Sequence, residues 1–239
     1  MFSSEKPPLQ QSQDHGQFEG GSYAITHRDA SAVLTLTLKD NAIVASEMGA
    51  MIHMSGTITL DAESKSSFRS LFSSEDQGRS LYIGPGSVAL GPELIGDIVT
   101  LSINNTGDTR KWSIRKQSSL AYTTGVILKN TRHSFRHALF HDEPLYIYEV
   151  AGSGLLWLKG LGAVDRIDLE TGQTHFVDSG HLVAWNCNYK LVKAGGNRLV
   201  SSASGEGRIL HFEGPGTVYI AARKYEDWIE FVQCFQRNS

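Results

Sequence analysis

Tyr82-Ile83-Gly84-Pro85-Gly86-Ser87-Val88-Ala89-Leu90 organises the chain, because the same pattern returns twice. It reappears as Val150-Ala151-Gly152-Ser153-Gly154-Leu155-Leu156-Trp157-Leu158 and as Phe212-Glu213-Gly214-Pro215-Gly216-Thr217-Val218-Tyr219-Ile220. From Gly84 to Gly152 is 68 residues, and from Gly152 to Gly214 is 62. Each stretch reads as a strand, a tight turn and a second strand. A type II turn is the expectation, with Pro85 and Pro215 supplying the fixed φ of its second position. Gly86, Gly154 and Gly216 then supply the positive φ of its third. Ser153 takes the proline's place in the middle stretch, whereas the third-position glycine has no easy substitute.

A second block keeps the same order and nearly the same spacing. Met48 to Met54 parallels Gln117 to Tyr122 and Ser179 to Trp185, aligned here on Met51, Leu120 and Leu182. Ser67 to Phe72 is echoed once more by Ser134 to Phe140. Agreement of two blocks in order and period reads as a triplicated module. Between the landmarks lie period-two strands, such as Val33 to Leu38 with leucines at 34, 36 and 38, and Val99 to Ile103. Only the end of the chain carries a helical pattern, where Trp228, Phe231, Val232 and Phe235 share one face and Glu226, Asp227 and Glu230 crowd the amino end. That helix is expected to pack back on the β body.

The expected architecture is therefore all-β, with three repeated antiparallel units in a pseudo-threefold arrangement and a C-terminal α-helix. A module of 60–70 residues has exposed sheet edges and one apolar face, so closure of three around an axis would shelter both. The organisation expected is a disordered tail over 1–21, a β domain over 22–223 and a helix over 224–237. Within the β domain the repeats are placed at about 22–108, 109–173 and 174–223.

Composition excludes several classes. With 22 Lys and Arg against 25 Asp and Glu in 239 residues, the net charge of −3 gives no general affinity for nucleic acid. The two cysteines, Cys187 and Cys234, are too few for a disulfide framework. No apolar run approaches the ~20 residues of a spanning helix. Residues 1–20 carry neither the apolar segment of a secretory signal nor the arginines of a mitochondrial presequence.

The repeated blocks, together with Gly96-Asp97-Ile98-Val99, Val177 to Asn186 and Ser204-Gly205-Glu206-Gly207, resemble the altered-inheritance-of-mitochondria protein twenty-four family from about Ser22 to Arg223. The resemblance implies short double-stranded β-helix or β-sandwich units related to the tryptophan RNA-binding attenuation protein. It also implies a non-enzymatic role in mitochondrial inner-membrane organisation, a mitochondrial inner-membrane protein complex as partner, and mitochondrial residence, with the cytoplasm as alternative. The family offers no catalytic residues to transfer, and no cofactor is implied. A small molecule between adjacent units is the alternative function that the attenuation-protein likeness suggests, with RNA binding the weaker one.

Candidate chemistry is sparse. His133, His137 and His141 stand four apart, followed by Asp142 and Glu143, and would form a metal cluster if helical; a solvated basic turn is the preferred reading, and no metal is expected. Neither a His-x-His pair nor a Gly-x-Ser-x-Gly elbow occurs. His181 and Cys187, six apart on a strand, would stand about 20 Å from each other. Lys111, Arg115 and Lys116 around Trp112 form the densest basic cluster, without counterparts in the other repeats.

Overall fold

The computed structural model describes residues 14–62, 78–104, 110–131, 146–192 and 209–237. A hairpin of β1 (His15–Phe18) and β2 (Gly21–Thr26) comes first. Three runs of six strands follow. The first holds β3 (Val33–Leu38), β4 (Ile43–Glu47), β5 (Met51–Met54), β6 (Thr59–Ala62), β7 (Arg79–Ile83) and β8 (Gly86–Leu90). The second holds β9 (Gly96–Ile103), β10 (Trp112–Arg115), β11 (Ser119–Thr123), β12 (Val126–Thr131), β13 (Ile147–Gly152) and β14 (Gly154–Leu161). The third holds β15 (Val164–Leu169), β16 (Thr174–Asp178), β17 (Leu182–Trp185), β18 (Asn188–Val192), β19 (Ile209–Glu213) and β20 (Gly216–Ala221). Helix α1 (Tyr225–Arg237) closes the chain.

The three runs share one topology, all of it antiparallel. In each, the sixth strand is flanked by the first and the third, as β8 is by β3 and β5, β14 by β9 and β11, and β20 by β15 and β17. The fifth strand is flanked by the second and fourth, as β7 is by β4 and β6, β13 by β10 and β12, and β19 by β16 and β18. Each unit is thus a small two-sheet sandwich, and the fold is all-β with threefold internal repetition. Even the irregularities repeat. The third strand of every unit carries a register shift against the sixth, between Met51 and His53, Ser119 and Ala121, and Leu182 and Ala184. These pairings align Met51 with Ser119, one residue before the Leu120 chosen from sequence.

Units join through one kind of strand pairing. The second strand of one unit pairs with the third strand of the next, β4 with β11 and β10 with β17, merging half-sandwiches into two six-stranded sheets. The starts of the first strands also meet, since Ala32 N–H donates to Gly96 O at 2.8 Å and Gly96 bridges Gly162. Cores cross the junctions too. Trp157 of β14, fully buried, packs into the first unit's core, where Phe18 and Tyr23 meet it edge-on at centroid distances of 5.9 and 5.4 Å.

Several boundaries differ from those read in the sequence. The tail does not extend to residue 21, because His15–Phe18 is a strand; its polar composition hides Phe18, which joins Tyr23 in fastening the hairpin to Trp157. The units run over 33–90, 96–161 and 164–221 rather than breaking near 108 and 173. Recurrent landmarks fix a period but not its phase. The bonds preceding Pro85 and Pro215 are cis, and Gly86, Gly154 and Gly216 have φ of +142°, +146° and +156°, well beyond the roughly +80° of a type II turn.

Candidate functional site

The third residue of the repeated turn is held by a polar staple. A residue at the end of each third strand, or just after it, accepts a hydrogen bond from the N–H that follows the turn glycine. Ser87 N–H donates to Ser55 Oγ at 2.9 Å, Leu155 N–H to Thr123 Oγ1 at 3.0 Å, and Thr217 N–H to Asn186 Oδ1 at 2.7 Å. A Cβ on Gly86 would strike the Ser55 hydroxyl, and one on Gly154 that of Thr123. Glycine is needed there for space as much as for backbone angle. Gly84, Pro85 and Gly86 connect β7 to β8, Gly152 and Gly154 flank the β13–β14 corner, and Gly214, Pro215 and Gly216 connect β19 to β20.

Charge gathers where the second strands end. Register places Glu47, Arg115 and Asp178 at equivalent positions, opposite Arg79, Ile147 and Ile209. Glu47 meets the ammonium of Lys159, which is only 2% exposed and lies 3.8 Å from Glu93. Burial pushes the Glu47 carboxyl up, against the opposing pull of Lys159. Arg115 donates to Gly180 O at 2.9 Å and to Glu226 at 2.9 Å. Asp178 accepts from Gly180 N–H at 3.0 Å and from Lys224. Three consecutive residues, Lys224 to Glu226, thus serve positions of all three units, for Tyr225 between them feels the charges of Glu47, Glu93 and Arg115. Burial first and the two glutamates second push the Tyr225 hydroxyl up to about 12.

Beside this cluster a cleft of about 340 Å³ opens at the first junction, lined by Glu47, Arg79, Lys116, Gln117, Tyr146 and Tyr148. Arg79 donates to Ser119 O at 3.3 Å and lies 5.5 Å from the Tyr122 ring centre. The cleft is formed by residues of both units, as a ligand between units would require.

The sequence-derived candidates fare unequally. His133, His137 and His141 lie outside the described residues, as does Ser204 to Gly207. No group of three or more His, Cys, Asp and Glu side chains suited to a metal occurs among the described residues. Cys187 is buried, and burial pushes its thiol up, while His181 Nδ1 lies 2.7 Å from Ala221 O. Lys111 pairs with Glu149 at 2.5 Å, Arg115 binds Gly180 O and Glu226, Lys116 lies 5.7 Å from the Tyr148 ring centre, and Trp112 tilts against Tyr219 at 5.9 Å, so each member of that cluster has a partner within the chain. Tyr225 and Glu226 fasten the first turn of α1. Trp228, Ile229, Phe231 and Val232 are exposed, contrary to the expectation that the helix packs back on the sheets. The charged ends of the second strands escaped notice because Glu47, Arg115 and Asp178 differ in sign; only the structural register relates them.

A family model described as mitochondrial biogenesis AIM24 matches residues 23–223. No curated protein matches the chain. Among solved structures, the crystal structure of a Streptococcus pyogenes protein is 21% identical, with a TM-score of 0.71, covering 89% of this chain and 98% of that one. At this identity the likeness concerns the fold.

Proposed function

The chain belongs to the AIM24 family, described as a mitochondrial biogenesis family, and from that membership we propose that it is a non-enzymatic scaffold supporting the organisation of a mitochondrial inner-membrane protein complex. The observation that carries this reading is the disposition of α1. Its first turn is fastened by Tyr225 and Glu226, while Trp228, Ile229, Phe231 and Val232 present an apolar surface outward. Such a helix suits a protein partner better than an anionic lipid surface, because Glu226, Asp227 and Glu230 lie along it. No helix among the described residues is long and apolar enough to cross a membrane. Residence at the mitochondrion follows from the same reading.

Affinity purification of the full chain from fractionated cells, read by mass spectrometry, tests it. Inner-membrane subunits should co-purify with the wild type and be lost with Trp228→Ser combined with Phe231→Ser. Recovery from the mitochondrial fraction without such subunits, or equal recovery with both proteins, contradicts it.

A second reading rests on the cleft between the first two units. Its mixed lining of Glu47, Arg79, Lys116 and two tyrosines suits a small zwitterionic molecule such as an amino acid. A thermal-shift screen of amino acids and metabolites separates the two, since a saturable rise in Tm favours the ligand-binding module.

A further inference from the structure

Two junctions join three units, and a third set of junction surfaces is left over. The chain pairs β4 with β11 and β10 with β17. The remaining members of that series are β16, a second strand with no successor, and β5, a third strand with no predecessor. Among the described residues both are edge strands of their sheets.

Side-chain direction says what these edges lack. In each joined third strand the two middle residues face the preceding unit. Leu120 and Ala121 belong to the first unit's core and Val183 and Ala184 to the second's. The register shift makes neighbours in sequence point the same way. The outer residues Tyr122 and Trp185 face their own units. In β5 the corresponding middle pair is Ile52 and His53. Ile52 is 55% exposed where Leu120 and Val183 are at 0% and 1%, while Met54 packs on its own core as the rule requires. The converse holds on β16. Ala45 of β4 and Leu81 of β7 reach into the second unit's core; their counterparts Phe176, 62% exposed, and His211 stack on each other at 4.6 Å, facing outward.

We propose that β16 of one copy of this chain pairs with β5 of a second copy, reproducing between molecules the junction that the chain makes twice within itself. Register is fixed by the internal junctions. Ala121 opposite Ser46 and Ala184 opposite Ile114 place His53 opposite Val177 and Met54 opposite Phe176. Ile52 then enters the third unit's core of the neighbouring copy, and Phe176 covers the first unit of the copy it joins. The occupant is a second copy because each edge has, in the same chain, the partner type that covers its equivalents. The contact is heterologous, so assembly proceeds head to tail until a ring closes or a filament grows. This inference is independent of the scaffold reading.

Light scattering coupled to size exclusion tests it with the full chain, Ile52→Lys and Phe176→Lys. Both side chains are exposed in the single chain, so both variants should fold, with wild-type circular dichroism and a cooperative thermal transition. The wild type should elute at a multiple of 26.2 kDa, and each variant alone near the single-chain mass. Mixed one to one, the variants retain one good edge each and should form a dimer of twice that mass and nothing larger. A wild type of single-chain mass up to its solubility limit overturns the proposal. So do variants that assemble alone, or a mixture that stays at the single-chain mass.

Discussion

The smallest unit of the design is a glycine facing a hydroxyl. Gly154 combines φ of +146° with a site where any Cβ would meet the Thr123 hydroxyl, itself the acceptor for Leu155 N–H. Gly154→Ala therefore carries backbone strain, a collision and a broken hydrogen bond, and should cost about 3 kcal/mol. Gly49→Ala is the control. Gly49 has φ of +84° but nothing within 4 Å of a built Cβ, so the loss should be about 1 kcal/mol. Urea titration of both variants measures the difference. Lys159 gives a second prediction at this scale. Removing it as Lys159→Met leaves the half-buried Glu47 carboxylate without its partner and should cost about 3 kcal/mol, most of it restored when Glu47→Leu is added. The turn glycines were legible in the sequence because their chemistry is local. The Lys159–Glu47 pair was not, because its members lie 112 positions apart and only pairing across a junction brings them together.

At the scale of the element, strands are specified by alternation and the helix by its first turn. Val33 to Leu38 shows this directly: its leucines are buried and the sequence already displays them every second residue. β1 shows the opposite, for His15, Gly16 and Gln17 become a strand only because β2 lies beside them and Phe18 meets Trp157. The start of α1 carries a pH prediction. Burial pushes the Tyr225 hydroxyl up to about 12, so its docking stabilises the fold fully below pH 10 and is lost as pH rises through about 12. Wild-type stability should fall by about 2 kcal/mol across that window through this group, and Tyr225→Phe should flatten the fall. Urea titrations at pH 9.5 and 12 give the comparison. Trp157 belongs here too, since it plugs a core not its own. Trp157→Ala should cost about 4 kcal/mol and loosen β1 and β2 along with β14, read as faster amide exchange in His15–Thr26.

For the whole molecule, the repeat is the statement from which the rest follows. Triplication was readable because Gly84, Gly152 and Gly214 mark it, yet the strand that links one unit to the next was not. Second and third strands are short, and their contact partners are defined by the next unit rather than by their own residues. Ile52 and Phe176 look in the sequence like ordinary strand interior and become informative only beside Leu120, Val183 and Ala45. The charges at the ends of the second strands, Glu47, Arg115 and Asp178, obey the same logic, being equivalent in place and different in kind.

Hydrogen exchange of the third strands, compared among the three units, tests this most directly. In Phe176→Lys, held as single chains, β5 should exchange rapidly while β11 and β17 are protected; in the wild type β5 should become as slow as they are. Equal protection of β5, β11 and β17 in the single-chain variant, or rapid exchange of β11 and β17 in both proteins, would contradict the account.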